Sequence, residues 1–166
     1  VLCMQMGLYE KALELFDNVL TKVPQDPVTL TSKGHALKTC GNTDDAIASY
    51  RLATKSSSAY GEAWHSLANL KTVKLDENDV SKMLAQINGD DLKFMDRVYI
   101  NFSLGKAFED AGDFDRAFSH YAAGNKAKKA QSRYVAEEMT DEFEQQKKLF
   151  SDKFIKSLNG CGHSAA

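Results

Sequence analysis

One skeleton of small and bulky residues recurs along this chain at a fixed interval. Gly7, Tyr9, Ala12, Phe16, Val19 and Pro24 are followed 34 positions later by Gly41, Thr43, Ala46, Tyr50, Ala53 and Ser58. A third copy reads Gly112, Phe114, Ala117, Phe118, Tyr121 and Gly124. A repeat of that length is too small to bury its own apolar face. Successive copies must therefore stack, each sealed by the next, into a solenoid. The pattern predicts helical hairpins and a surface for binding, with no visible equipment for chemistry.

Within each copy the spacing predicts two helices. Asp26-Pro27 is a strong helix start, because Asp caps the first turn and Pro needs no N–H partner there. The first helix of that repeat is expected over Pro27–Thr39, ending in the turn Cys40-Gly41-Asn42. A second helix, capped by Thr43, is expected from about Asp44 to Lys55. The next repeat opens near Gly61, with Trp64, Leu67 and Ala68 facing inward and a first helix running on through Thr72. Its turn is aberrant, since Leu75-Asp76-Glu77 stands where Gly is expected. The last full repeat carries Leu104, Gly105 and Phe108 on a long first helix, then Gly112-Asp113 at the turn. From Gln131 to about Leu158, Tyr134, Val135, Met139, Phe143, Phe150, Phe154 and Leu158 form an apolar stripe, expected to cap the solenoid. The expected organisation is a partial repeat at 1–26, repeats at 27–60, 61–94 and 98–130, a capping helix or helices at 131–158 and a flexible tail at 159–166. Because the first repeat enters halfway and Val1 is not Met, the chain is expected to be a piece of a longer protein.

Composition narrows the function. A net charge of −2 argues against a general polyanion binder, which needs a clustered Lys/Arg surplus. No run of about 18 apolar residues is present to cross a membrane. Cys3, Cys40 and Cys161 are odd in number and widely spaced, as expected of reduced thiols in a cytoplasmic protein.

These residues resemble the tetratricopeptide repeat family, whose pattern is bulky, Leu, Gly/Ala and Tyr-like on a first helix A, then Gly-Asp-Tyr, Ala, Tyr/Phe, Ala and Pro around a second helix B. The resemblance covers about residues 1–130. It implies an all-α, right-handed α-solenoid and a protein- or peptide-binding scaffold, with partners lying along the A helices. By the pattern, the groove residues are Thr31, His35, Lys38, Glu62, His65, Asn69, Thr72, Tyr99, Phe102, Ser103 and Lys106, with Glu109 beside them. Asn69 is the amide able to bond a peptide backbone in both directions. Some relatives grip C-terminal carboxylates with a lysine, asparagine and arginine clamp. The corresponding residues here, Thr31, His35, Ser66, Tyr99 and Ser103, do not match it. AWHSLANLKT together with DRVYINFSLGKAFEDAGDFDRAFSHYAAGN also resembles the repeat region of bacterial proteins that fuse such repeats to a sulfotransferase domain. That narrower likeness implies an accessory, substrate-presenting role, and no catalytic residue carries over.

Other clusters have simpler explanations. His35, His65, His120 and His163 lack the third ligand and the spacing of a zinc site, so no metal or cofactor is expected. Glu109, Asp110, Asp113 and Asp115 flank a turn, where acidic groups complement the next helix start. Lys126, Lys128, Lys129 and Arg133 end a helix, where positive charge is favoured for the same reason. No catalytic residue, nucleic-acid contact or membrane contact is expected. A homodimer through the open N-terminal end is one expected mode of assembly.

Overall fold

The computed structural model describes residues 2–89, 91–132 and 135–160. Arg133, Tyr134, Cys161 and His163, together with the tail from 161 onward, lie outside the described residues. Among the described residues every regular element is a helix. The chain divides into two compact segments, one up to Ala130 and one from Gln131.

The first segment contains α1 (Leu2–Gln5), α2 (Tyr9–Lys22), α3 (Pro27–Thr39), α4 (Thr43–Ser56), α5 (Gly61–Ala68), α6 (Glu77–Ile87), α7 (Phe94–Asp110) and α8 (Phe114–Gln131). The first helices of successive hairpins form a row, α3 packing on α5 and α5 on α7. α2 packs on α3, α3 on α4, α4 on α5 and α6 on α7. This is the helical-hairpin solenoid that the repeat predicted.

One contact shows why the spacing matters. At Gly34 in α3, an added Cβ would lie under 3.0 Å from three ring carbons of Tyr50 in α4. At Gly105 in α7, it would lie 2.6 Å from two ring carbons of Tyr121 in α8. Both pairs are 16 residues apart, so the same close approach closes two different hairpins. The turns repeat as well. Gly7, Gly41 and Gly112 have φ of 74°, 85° and 79°, the left-handed region in which glycine alone is unstrained.

Asp26 caps α3 by accepting from the Thr29 N–H, as the Asp-Pro pair predicted. α4 begins one residue earlier than expected: Asn42 occupies the cap position, and Thr43 is the first helical residue. α6 has a capping box, in which Asp76 accepts from the Asp79 N–H and Asp79 from the Asp76 N–H. The Asp79 carboxylate also holds Arg51 of α4. Arg97 donates to the carbonyls of Ile87 and Gly89, satisfying the end of α6.

The main core joins Leu37, Tyr50, Trp64, Leu67, Met83, Ile100, Leu104 and Phe108 across the α3–α4, α5–α6 and α7–α8 hairpins, with Ala46 and Ala117 as the small residues between helices. Gly61 lets α5 abut α7. Its N–H donates to Asp96 at 2.8 Å, and a Cβ there would meet the Asp96 backbone.

The second segment holds α9 (Ala136–Leu149) and α10 (Asp152–Ser157). In α9, Glu137 and Glu138 sit in the first turn and Lys147 and Lys148 in the last, matching the helix dipole. Ser151 caps α10 through the Phe154 N–H.

Candidate functional site

The A-row of α3, α5 and α7 supplies the face on which the repeat pattern places a partner. The structure sorts the eleven expected residues into three groups.

His35, Glu62, His65, Tyr99, Phe102 and Lys106 are partly exposed on that row, and the exposed Asn69 caps the end of α5. Thr31 and Ser103 are corrections: both are buried, at 1% and 0% exposure, and cannot line an open groove. They are small residues on helices that pack directly against α5. The Ser103 hydroxyl is spent on the Tyr99 carbonyl. Lys38 and Thr72 are exposed and do not line the cleft described below. Lys38 sits in the last turn of α3. Thr72 is past the end of α5, which stops at Ala68 instead of running on.

Along the row, the side chains form a connected ladder. The Tyr50 hydroxyl is 2.9 Å from His35 Nδ1, and His35 Nε2 is 3.3 Å from a Glu62 carboxylate oxygen. Tyr60 donates to the other Glu62 oxygen at 2.7 Å. In the tautomer with its proton on Nε2, the His35 ring accepts from Tyr50 and donates to Glu62, which accepts from both His35 and Tyr60. Burial, reinforced by Glu62, pushes the Tyr50 phenol up to about 12. Burial and the Glu62 bond likewise raise Tyr60. Neither phenol is prepared to lose a proton, and the Tyr-His-Glu chain ties α3, α4 and α5 together.

Further along, the His65 ring lies 5.0 Å from Tyr99 and 6.2 Å from Phe102, and Phe102 lies 6.4 Å from Tyr121 (centroid distances). Burial lowers the His65 pKa against the opposing pull of Glu62. The neutral ring can therefore accept at Nε2 from the Asn69 amide, 2.9 Å away.

Next to this ladder opens a cleft of about 290 Å³, lined by His65, Ala68, Asn69, Lys71, Phe102, Lys106, Glu109 and Tyr121. Lys106 is paired with Asp110, a bond that raises its pKa. Glu109 accepts from the Tyr121 hydroxyl at 2.7 Å, and burial together with that bond raises the phenol. Four of the expected residues thus meet in one concavity. Lys71 and Tyr121 were missed. Tyr121 reads as core by its spacing, and Lys71 enters only because α5 stops short.

The acidic turn beyond is structural. Asp113 accepts from both the backbone and the guanidinium of Arg116, which holds its carboxyl below the usual range. His120 bonds Asn101 at 3.0 Å, and burial lowers its pKa. Among the described residues no group of three or more His, Cys, Asp or Glu side chains is placed to hold a metal. No described helix is long and apolar enough to cross a membrane.

A row of pre-packed helices with a mixed polar and aromatic face is the arrangement of a helical-repeat protein. Residues 29–60 match the family model of the tetratricopeptide repeat. The matched stretch is the α3–α4 hairpin with the approach to α5, where Gly34 meets Tyr50. No curated protein matches the chain. The family match supports a tetratricopeptide-repeat protein, and repeats of this kind generally mediate protein–protein interactions. It lends no support to the narrower resemblance to sulfotransferase fusions.

Proposed function

We propose that this chain is a non-catalytic scaffold that binds an extended segment of a partner protein along α3, α5 and α7. His35, Glu62, His65, Asn69, Tyr99, Phe102 and Lys106 would form the contact face. The cleft at the end of α5 carries this reading, because expected groove residues from two helices converge there on an open volume. The ladder of bonded side chains beside it is already formed. Association therefore spends little on ordering the protein's own groups.

The test is selection from an unbiased phage-displayed peptide library, followed by calorimetric titration of the enriched peptides. Asn69→Ala should weaken binding about tenfold, the value of a lost hydrogen bond in a partly desolvated site. Phe102→Ala should weaken it by more than tenfold, since aromatic anchors dominate such interfaces. Unchanged affinity in both variants, with the fold intact by circular dichroism, removes the groove assignment.

Self-association is a second reading, favoured by the exposed apolar residues Leu2, Met6, Leu8, Leu15 and Val19 on and around α1 and α2. Light scattering that reports a monomer at high concentration rejects it. The sulfotransferase-accessory role has only the sequence resemblance behind it.

A further inference from the structure

The third hairpin breaks the pattern at one point, and the cleft lies at that break. α3 runs for 13 residues and α7 for 17, but α5 for only 8. The chain then turns through Lys71, whose φ of 60° makes it the one left-handed non-glycine among the described residues. A Cβ disfavours that conformation. The equivalent strain is avoided elsewhere in this chain, where Gly7, Gly41 and Gly112 make the left-handed turns. A side chain held in a strained position on the lining of a cleft points to a role for that side chain.

Its charge state points to the same conclusion. Lys106 is neutralised by Asp110, Glu109 is occupied by the Tyr121 hydroxyl, and the Asn69 amide is bonded to His65. Lys71 has no ion-pair or hydrogen-bond partner among the described residues, and it is exposed. The cleft thus presents one unmatched cation beside a floor of Ala68, Phe102 and Tyr121. Rings at these spacings favour another ring, edge-on or offset. On the other side the face continues to Glu62 and His35, so an occupant runs through the cleft instead of ending in it.

Taking the peptide-binding reading as its premise, we propose that the cleft selects an aromatic side chain of the partner segment, with an adjacent Asp or Glu carboxylate seated on Lys71. The anion belongs to a side chain within the segment.

The experiment repeats the peptide selection on the full chain and on Lys71→Glu and Lys71→Gly. Wild type should enrich aromatic–acidic pairs. Lys71→Glu should enrich aromatic–basic pairs and bind the wild-type-selected peptide about tenfold more weakly. Lys71→Gly should bind that peptide about fivefold more weakly, as expected for an exposed ion pair made once per complex. Its melting temperature should rise, because the left-handed turn is relieved, and this shows that the weaker binding is not a folding defect. The same consensus and affinity in Lys71→Glu as in wild type would overturn the proposal. So would loss of binding when only the peptide's C-terminal carboxylate is amidated. Peptides that enrich without an acidic residue refute this inference and leave the scaffold reading standing. If no peptide enriches on wild type, the scaffold reading fails first and takes this one with it.

Discussion

Gly34→Ala and Gly105→Ala install the same methyl group at the same position of two hairpins, yet the structure sets them far apart in cost. Each gains about 1 kcal/mol of helix propensity from replacing glycine. Each also drives a Cβ into a tyrosine ring, and overpacking of that kind costs about 1–3 kcal/mol. The difference lies in whether the ring can move. Tyr50 is fully buried and its hydroxyl is tied to His35. Moving it breaks that bond as well as the core packing. Tyr121 is only half-buried and its hydroxyl end faces the exposed Glu109, so it can swing outward. Gly34→Ala should therefore lose about 3 kcal/mol, and Gly105→Ala about 1 kcal/mol or less. In urea the two midpoints should differ by roughly 1 M. Far-UV circular dichroism follows the helices. The emission of Trp64, 1% exposed in the core that includes Tyr50, follows the packing. A Gly34→Ala variant as stable as Gly105→Ala would refute the claim that a pinned tyrosine sets the hairpin spacing. Because Tyr121 lines the cleft, Gly105→Ala should nevertheless be the variant that weakens peptide binding.

Asp79→Ala removes the acceptor of the Asp76 N–H, half of a capping box, and the partner of Arg51 from a site only 5% exposed. It should cost about 2 kcal/mol in chemical denaturation, whereas Glu77→Ala on the exposed side of the same turn should be nearly neutral. Acidification should destabilise the fold through His65 and His120. Burial lowers both pKa values in the folded chain. Stability is then fully present above the unfolded value of about 6.5 and declines as pH falls below it toward the folded pKa. Denaturation midpoints measured between neutral and mildly acidic pH should fall, and the His65→Gln/His120→Gln double variant should flatten that slope.

Much of the architecture was legible because it depends on steric requirements that recur. A left-handed turn needs Gly7, Gly41 and Gly112, and a close helix pair needs Gly34 and Gly105 opposite Tyr50 and Tyr121. Spacing alone reveals the turns, whereas the seating of each tyrosine ring on its glycine emerges only from the packed helices. The site was less legible. The repeat pattern carried the first helix of the third repeat through Thr72, with Glu62, His65, Asn69 and Thr72 counted as one helical face. In the structure the chain leaves the helix at Asn69, and the capping box of Asp76 and Asp79 sets where the next helix starts. That local contest between turn and helix decides which residues reach the cleft. It brings in Lys71, uncovers Tyr121 and leaves Thr72 outside. Thr31 and Ser103 failed for another reason. A single-helix pattern assigns them to the exposed face, but the neighbouring helices bury them, and only tertiary packing reveals it.

The most direct test of the proposed binding face is an amide and side-chain NMR titration of the chain with its best selected peptide. The expected result is that shifts concentrate at Asn69, Lys71, Phe102, Lys106 and Tyr121, with weaker changes at His35 and Glu62. Shifts centred instead on the exposed surfaces of α2, α4 and α6, with Asn69 and Phe102 unmoved, would contradict it.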